Sequence, residues 1–290
     1  MTFAETYKML FAKLLECKTN VISRGMLLAH EMPPQMIDIE ISKDGASIFS
    51  HKFHRVVPIR FILAEFCHIL SGQSDLATIK SYSKVMGNYS DDGINLNSAY
   101  GKRLSGQFEA ILFRLGKDIY SRQACMTLFS KEDALDLEKV HIPCNVFIQA
   151  LYRDNVLSSI VNSRSSDFVT GFSIDSIHWQ LMLILLSNQL HESFFPCASG
   201  NVYYCISSLH IYEKDMHIVE EWQHPLRGNF EYFIKPTIGI TKAIEACKKY
   251  FGPKLSLDEL MDILELPQES RFVCALLDDI YKNYRNKLSR

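Results

Sequence analysis

Residues 141–179 bring together the groups that could do chemistry in concert. These are Cys144 behind Pro143, the run Arg164-Ser165-Ser166-Asp167, and Asp175 shortly after Gly171. A thiol is a strong carbon nucleophile once ionised, and a neighbouring cation favours the thiolate. Arg164 is the candidate cation, and an arginine beside a serine can also grip a phosphate through charge-assisted hydrogen bonds. Asp167 and Asp175 could accept hydrogen bonds from a ligand or move protons. Each piece also has a plain structural use: packing for Pro-Cys, a polar loop for Arg-Ser-Ser-Asp, a helix cap for Asp175. A second Pro-Cys, at Cys197 in Phe-Phe-Pro-Cys-Ala-Ser-Gly, competes for the nucleophile's role.

The elements that must hold these groups are readable around them. Residues 144–152 and 156–162 are short apolar, β-branched runs separated by Arg153-Asp154-Asn155, which predicts a β-hairpin. Residues 173–190 are long and apolar enough for a buried helix, with Asp175 in its first turn. Residues 58–70 read as a helix with Pro58 at its start and Gly72 just past its end. Glu65 sits among Ile62, Leu63, Phe66, Ile69 and Leu70 of that helix, where a carboxylate needs either a buried ion-pair partner or a task. Residues 3–16 have amphipathic helical spacing and residues 36–41 alternate as a half-buried strand. Residues 84–100 look like a loop, and residues 108–115 like a helix closed by Gly116. Residues 202–212 read as one strand ending on His210 and Tyr212, and helices are expected at 238–251, 255–264 and 271–288.

Composition narrows the class. The chain has 290 residues, 47% of them hydrophobic, and a formal net charge of −2 with both signs interspersed. It can build a large core, and it carries no global field for a nucleic-acid polymer or an anionic membrane. The eight cysteines show no paired metal-ligand spacing and follow no secretory signal, which reads as reduced thiols in a cytoplasm. The longest apolar run, at 181–186, is too short to span a bilayer.

In their order and approximate spacing, Glu65, Tyr100-Gly101-Lys102, Pro143-Cys144, Arg164-Ser165-Ser166-Asp167, Gly171, Asp175 and Ser208-Leu209-His210-Ile211-Tyr212 resemble the thymidylate synthase and deoxycytidylate hydroxymethylase superfamily, over roughly residues 20 to 225. The resemblance implies an α+β fold, a large mixed β-sheet flanked by helices, with sheets packed across a homodimer interface. It implies a catalytic domain at 1–225 and a mainly helical extension at 226–290 packed on the same domain.

It also implies roles. Cys144 would add to C6 of a pyrimidine nucleoside monophosphate, making C5 enamine-like, with Tyr100 in the catalytic set and Glu65 relaying protons through water. Arg24, Arg164 and Ser165 would hold the phosphate together with Arg122, reaching across from the partner subunit. His210 and Tyr212 would hold the sugar, and Asp167, Glu65 and Gly171 would face the co-substrate 5,10-methylenetetrahydrofolate, with no metal required.

Five positions depart from the synthases. Met86 and Tyr89 replace a tryptophan pair, Gln123 replaces the second phosphate arginine, and Asn145 follows the nucleophile where histidine is common. Asp175 replaces the asparagine that reads uracil. An aspartate accepts from the cytosine amino group and repels uracil O4, so the base expected is cytosine. The expected reaction is hydroxymethylation at C5 of dCMP or CMP by hydration rather than hydride transfer. A methyl-forming synthase acting on a cytidylate or on dUMP, and a catalytically silent nucleotide-binding relative, are the competing readings.

Overall fold

The structure is a computed structural model that describes residues 3–17, 20–23, 26–51, 58–216 and 229–288. Arg24 lies outside them. The five-stranded sheet is mixed and runs β3 (Gln35–Glu40), β9 (Ala198–Ile206), β7 (Val156–Ser163), β6 (Asn145–Arg153), β5 (Cys125–Thr127). A second sheet runs β1 (Asn20–Ile22), β2 (Leu28–Met32), β10 (Leu209–Tyr212), β8 (Ser166–Asp167). In a third, β4 (Ala46–His51) pairs antiparallel with β11 (Asn229–Ile234). With helices packed on these sheets the fold is α+β, as expected.

The hairpin forms where the pattern places it. Asp154 and Asn155 take φ of 51° and 63°, the left-handed pair that a tight two-residue turn demands and that these two residue types tolerate. Next, two strands leave the sheet side by side. β7 continues through Arg164-Ser165 into β8, while its parallel neighbour β9 continues through Ser207-Ser208 into β10, and β8 and β10 remain parallel. The backbone of Ser207 donates to Ser163 O, and that of Ser166 donates to Ser208 O, each at 2.9 Å. The strand expected over residues 202–212 is therefore two strands in two sheets. Alternating apolar residues report burial on a face, not a change of sheet, so Ser207-Ser208 gave no warning.

Helices close the body. α1 (Phe3–Glu16) agrees with its spacing. α2 (Ile59–Ser71) ends on Gly72 at φ 76°, whose N–H donates to Ile69 O. α3 (Leu76–Lys80) leads to a 3₁₀ helix at Lys84–Tyr89, inside the stretch expected to be loop. α4 (Tyr100–Leu104) packs on α2. In α5 (Gln107–Lys117) Gly116 does not close the helix but lies within it, where a β-carbon would come within 2.9 Å of the Phe194 ring. Its role is close packing. α6 (Lys131–Leu135) carries a Ser130–Asp133 capping box.

α7 (Gly171–Ser193) is buried nearly all round. It starts earlier than predicted, so Asp175 stands in the second turn and is not a first-turn cap. Gln180 ties this helix to β4: its Oε1 accepts from Ser47 N–H at 2.9 Å. α8 (Ile240–Tyr250), α9 (Leu257–Ile263) and α10 (Gln268–Leu288) pack against α2, α7 and β11. No helix among the described residues is long and apolar enough to cross a membrane.

Gly101, next to Tyr100, is where α4 meets the end of α2. A β-carbon there would lie 2.7 Å from His68 O and 2.9 Å from Gln73 O and Ile69 O, all backbone atoms that cannot swing away. Gly101→Ala should therefore cost about 1–3 kcal/mol in urea unfolding and displace Tyr100. An unchanged midpoint would show that the two helices are not locked together.

Candidate active site

The side-by-side exit of β7 and β9 builds the site. Asn145 opposes Ser163 across the hairpin, and a bulge separates Asn145 from Phe147. Such bulges re-aim the side chains beside them. Just past the pairing, Arg164 N–H donates to Cys144 O at 2.9 Å, and Ser163 Oγ lies 3.1 Å from the same carbonyl. The arginine then folds back over the cysteine segment. Its Nε donates to Pro143 O at 2.9 Å and its Nη2 to Ile142 O at 3.0 Å, leaving Nη2 at 3.7 Å from Cys144 Sγ. A cation thus faces the thiol sulfur. Cys197 has no comparable setting: it precedes β9 at the end remote from the crossing, and burial pushes its thiol up to about 11.

Behind Cys144 lies a buried polar chain centred on Asn145. Its Nδ2 donates to Asp175 Oδ2 at 2.9 Å and to the Tyr100 hydroxyl at 2.8 Å, while its Oδ1 accepts from the Tyr204 hydroxyl at 2.8 Å. The Tyr204 hydroxyl also lies 3.3 Å from Asp175 Oδ2. Tyr100 stacks on Trp179 of α7, and Tyr204 on Phe172. Burial, reinforced by the Asp175 charge, holds both phenols well above their ordinary range. They stay protonated.

Two carboxyls in this region are in different states. Burial pushes Asp175 up to about 6, opposed by the hydrogen bond from Asn145 and the polar Tyr204 hydroxyl close by. Burial, together with the charge of Asp175, pushes Glu65 up to about 8. At neutral pH Asp175 is mostly ionised while Glu65 keeps its proton, the arrangement that divides acceptor from acid. The ion pair that could have excused Glu65 does not form. Its nearby ring, His178 Nδ1 at 4.0 Å, belongs to a histidine that burial lowers to about 4 and whose Nε2 meets Ile62 O at 3.0 Å.

The second sheet brings up the remaining predicted residues. His210 stands opposite Asp167 in the β8–β10 pairing, and its ring packs edge-on against Tyr212 at 5.0 Å. Asp167 accepts from Val169 N–H and from the Thr170 hydroxyl. Ser165 lies at the crossing, its carbonyl accepting from Ser163 Oγ at 2.8 Å. Gly171 opens α7 against Ser166, whose buried hydroxyl meets no hydrogen-bond partner among the described residues.

Tyr89 and Tyr212 both feel the charges of Asp167 and Cys144, and Tyr89 also that of Glu65. Tyr89 and Tyr212 thus lie in the same electrostatic neighbourhood as Asp167 and Cys144. Tyr89 keeps an aromatic ring there, whereas Met86 packs on the small cluster of Leu76, Ile79, Leu96 and Ala99.

Arg122 is not brought to these groups. It is exposed beside the edge strand β5, and its backbone carbonyl accepts from Gln149 Nε2 at 2.7 Å. Gln123 accepts from Arg114 Nη1 at 3.2 Å. Tyr204 was missed by the sequence reading, since a tyrosine in an apolar strand looks like packing. Among the described residues no cluster of three or more His, Cys, Asp or Glu side chains could hold a metal.

A model of the thymidylate synthase family matches residues 5–245. A deoxyuridylate hydroxymethyltransferase of Bacillus phage SP01 is 27% identical over 249 residues, 77% of this chain and 63% of that protein. A deoxycytidylate 5-hydroxymethyltransferase of Enterobacteria phage T4 is 28% identical over 137 residues, 44% of this chain and 56% of the relative. A deoxyuridylate hydroxymethyltransferase of Pseudomonas phage M6 is 26% identical over 131 residues, 42% of this chain and 37% of the relative. The chain thus spans less than two thirds of the length of these curated relatives.

The state of Glu65 has a thermodynamic signature. Its folded value lies above the ordinary one, so the native state holds a proton that the unfolded chain has released, and stability falls as pH rises toward 8. Between pH 6.5 and 8 Asp175 contributes little, and buried His178 and His68, whose unfolded rings shed their protons near the ordinary histidine value, oppose the decline only at the low end. Over that window the urea-unfolding free energy should decline in the parent, and Glu65→Gln should flatten the decline. Equal slopes in both proteins would contradict a protonated Glu65.

Proposed function

We propose, from the premise that this chain belongs to the thymidylate synthase family, that it transfers a one-carbon unit to C5 of a cytosine nucleoside monophosphate and releases the 5-hydroxymethyl product. The single observation that carries the reading is the convergence of Cys144, faced by Arg164, with the Asn145–Asp175 pair beside Glu65. A thiolate at Cys144 adds to C6, and Arg164 stabilises the negative charge it carries before attack and regains on release. Asp175 accepts from the cytosine amino group and can stabilise a protonated N3. Glu65, protonated at neutral pH, supplies and recovers protons around the ring through water. Tyr100 accepts from Asn145 and so keeps its own proton available to the reaction space.

The co-substrate would be 5,10-methylenetetrahydrofolate, which supplies carbon at the formaldehyde level that no side chain can provide. The residues available to hold it fit a folded heteroaromatic ligand: the Tyr89 ring, Asp167, and the unpartnered Ser166 hydroxyl beside Gly171. Arg164 and Ser165 would take the phosphate and His210 and Tyr212 the sugar.

A uracil nucleotide is the second reading. Asp175, pushed up to about 6, can protonate and donate to O4, and two of the phage relatives are named for deoxyuridylate. Turnover of dCMP, CMP, dUMP and UMP with methylenetetrahydrofolate, followed by product mass and folate oxidation state, separates the possibilities. A hydroxymethyl mass on cytidylate with unoxidised folate is expected. A methyl mass with dihydrofolate would make the protein a synthase, and no product would favour a silent binding relative. Asp175→Asn should shift the ratio of catalytic efficiencies toward the uracil nucleotide by tenfold or more.

The protein is further proposed to act as a homodimer. The face of the five-stranded sheet turned away from α7 carries exposed Met36 and half-buried Phe147, Leu151, Ile160 and Tyr203. A cleft of about 470 Å³ lies on it, lined by Met36, Phe147, Asn162, Cys205 and Arg164 among others. A second copy packed there would carry its Arg122 toward the Arg164 phosphate site. Mixing inactive Arg122→Ala and Cys144→Ala chains should then restore activity in the exchanged dimers. No rescue despite demonstrated subunit exchange would remove Arg122 from the site.

A further inference from the structure

Asp175 is held by two buried side chains, and the way they hold it constrains what a base can meet. The Asn145 amide has no choice of orientation. Its NH₂ group must face the Asp175 carboxylate, which leaves Oδ1 to face Tyr204, and the Tyr204 hydroxyl donates to it at 2.8 Å. The second amide hydrogen goes to the Tyr100 hydroxyl. Asn145 is thereby satisfied on every side, as a fully buried amide must be. All the contacts to the carboxylate arrive at Oδ2, and among the described residues none is made to Oδ1.

We propose that Tyr204 and Asn145 are a positioning pair which commits Asp175 Oδ2 to the protein and leaves Oδ1 as the oxygen that reads the base, so that the Tyr204 hydroxyl is a determinant of cytosine-over-uracil preference. This rests on the reading of Asp175 as the base-contacting residue. With the hydroxyl present, the amide is locked and the carboxylate is pinned in one plane as a pure acceptor, which suits an amino group and repels a carbonyl. Without it, Asn145 Oδ1 loses its donor inside an apolar wall. The amide can then turn its oxygen toward Asp175, which relieves the strain only if Asp175 takes a proton. A protonated Asp175 donates, so it no longer excludes O4. The tyrosine acts through the aspartate and touches no substrate atom.

The test is Tyr204→Phe in the full chain, which removes one oxygen from a position stacked on Phe172. Dissociation constants for dCMP and dUMP, measured by calorimetry without co-substrate, and catalytic efficiencies with methylenetetrahydrofolate are compared between pH 5.5 and 8. The dCMP-to-dUMP ratio should fall about tenfold or more, mainly through loss on dCMP, the scale of one hydrogen bond to a charged group. The acid limb of the dCMP profile should also move to higher pH. Glu65, Cys144, Arg164, Tyr100 and His178 are the other titratable or charged groups around Asp175 and are untouched by the substitution, so a moved limb reports the altered hold on the aspartate.

An equal loss on both nucleotides, with the limb unmoved, would mean a merely structural role and overturn the proposal. Asn145→Ala serves as the second variant should Tyr204→Phe fail to fold, and an unchanged ratio there would overturn it equally. Asp175→Asn separates the two levels. If that change alters the ratio while Tyr204→Phe and Asn145→Ala do not, the positioning pair falls and the base assignment stands. If Asp175→Asn leaves the ratio unchanged, or the parent binds neither nucleotide, the base assignment falls and the positioning pair with it.

Discussion

The site depends on one piece of backbone pairing, the closure of Cys144 O by Arg164 N–H at the mouth of the hairpin. A cysteine at a strand end is normally free to point where its rotamers allow, and an arginine carries side-chain freedom worth about 2 kcal/mol. Here the hairpin register sets the two residues opposite each other before their side chains are considered. The guanidinium is then anchored through Nε and Nη2 to the Pro143 and Ile142 carbonyls. The cation is delivered to the sulfur by strand geometry, not by chance encounter of two long side chains. Displacing the hairpin by one residue would turn every side chain to the opposite face and separate the pair.

The second constraint is the cost of burying polar groups behind that pair. Asn145, Tyr100, Tyr204 and Asp175 sit among Trp179, Phe172 and the apolar face of α7. Each unpaired group there would cost about 1–3 kcal/mol. They are tolerable only as a set, since each one satisfies its neighbours. The set leaves a deliberate remainder: an acceptor oxygen on Asp175, a proton on Tyr100, and a proton on Glu65.

Much of this was legible in the sequence, for reasons that differ by residue. The hairpin announced itself through β-branched runs and Asp154-Asn155, and α2 through Pro58 and Gly72, because turn and cap chemistry is local. Glu65 stood out because a carboxylate on an apolar helix is costly whatever surrounds it. Arg164 and Cys144 stood out as a cation and a thiol, but local sequence does not say that residues twenty apart will meet, and the resemblance was needed to put them in one site. Tyr204 and the change of sheet at Ser207-Ser208 were illegible. A buried hydroxyl and a buried ring give the same apolar pattern, and alternation does not encode which sheet a strand joins. Gly116 misled for a related reason: glycine ends helices and also admits a neighbouring ring, and only the presence of Phe194 decides between the two.

The helix that carries Glu65 is itself braced from behind. Arg60 of α2 donates to Leu255 O, Tyr82 donates to Gly252 O, and Leu255 N–H donates back to Tyr82. Buried Cys67 and Cys247 meet between α2 and α8 as hydrogen-bonded thiols. Arg60 and Cys67 thus join α2 itself to the segment 229–288, and Tyr82, just past α3, joins that segment beside them. A carboxyl held protonated by its surroundings needs a wall that does not yield, because a helix free to shift would admit water and let the proton go. The C-terminal helices thus back the helix that holds Glu65 and help to keep the burial that raises its carboxyl.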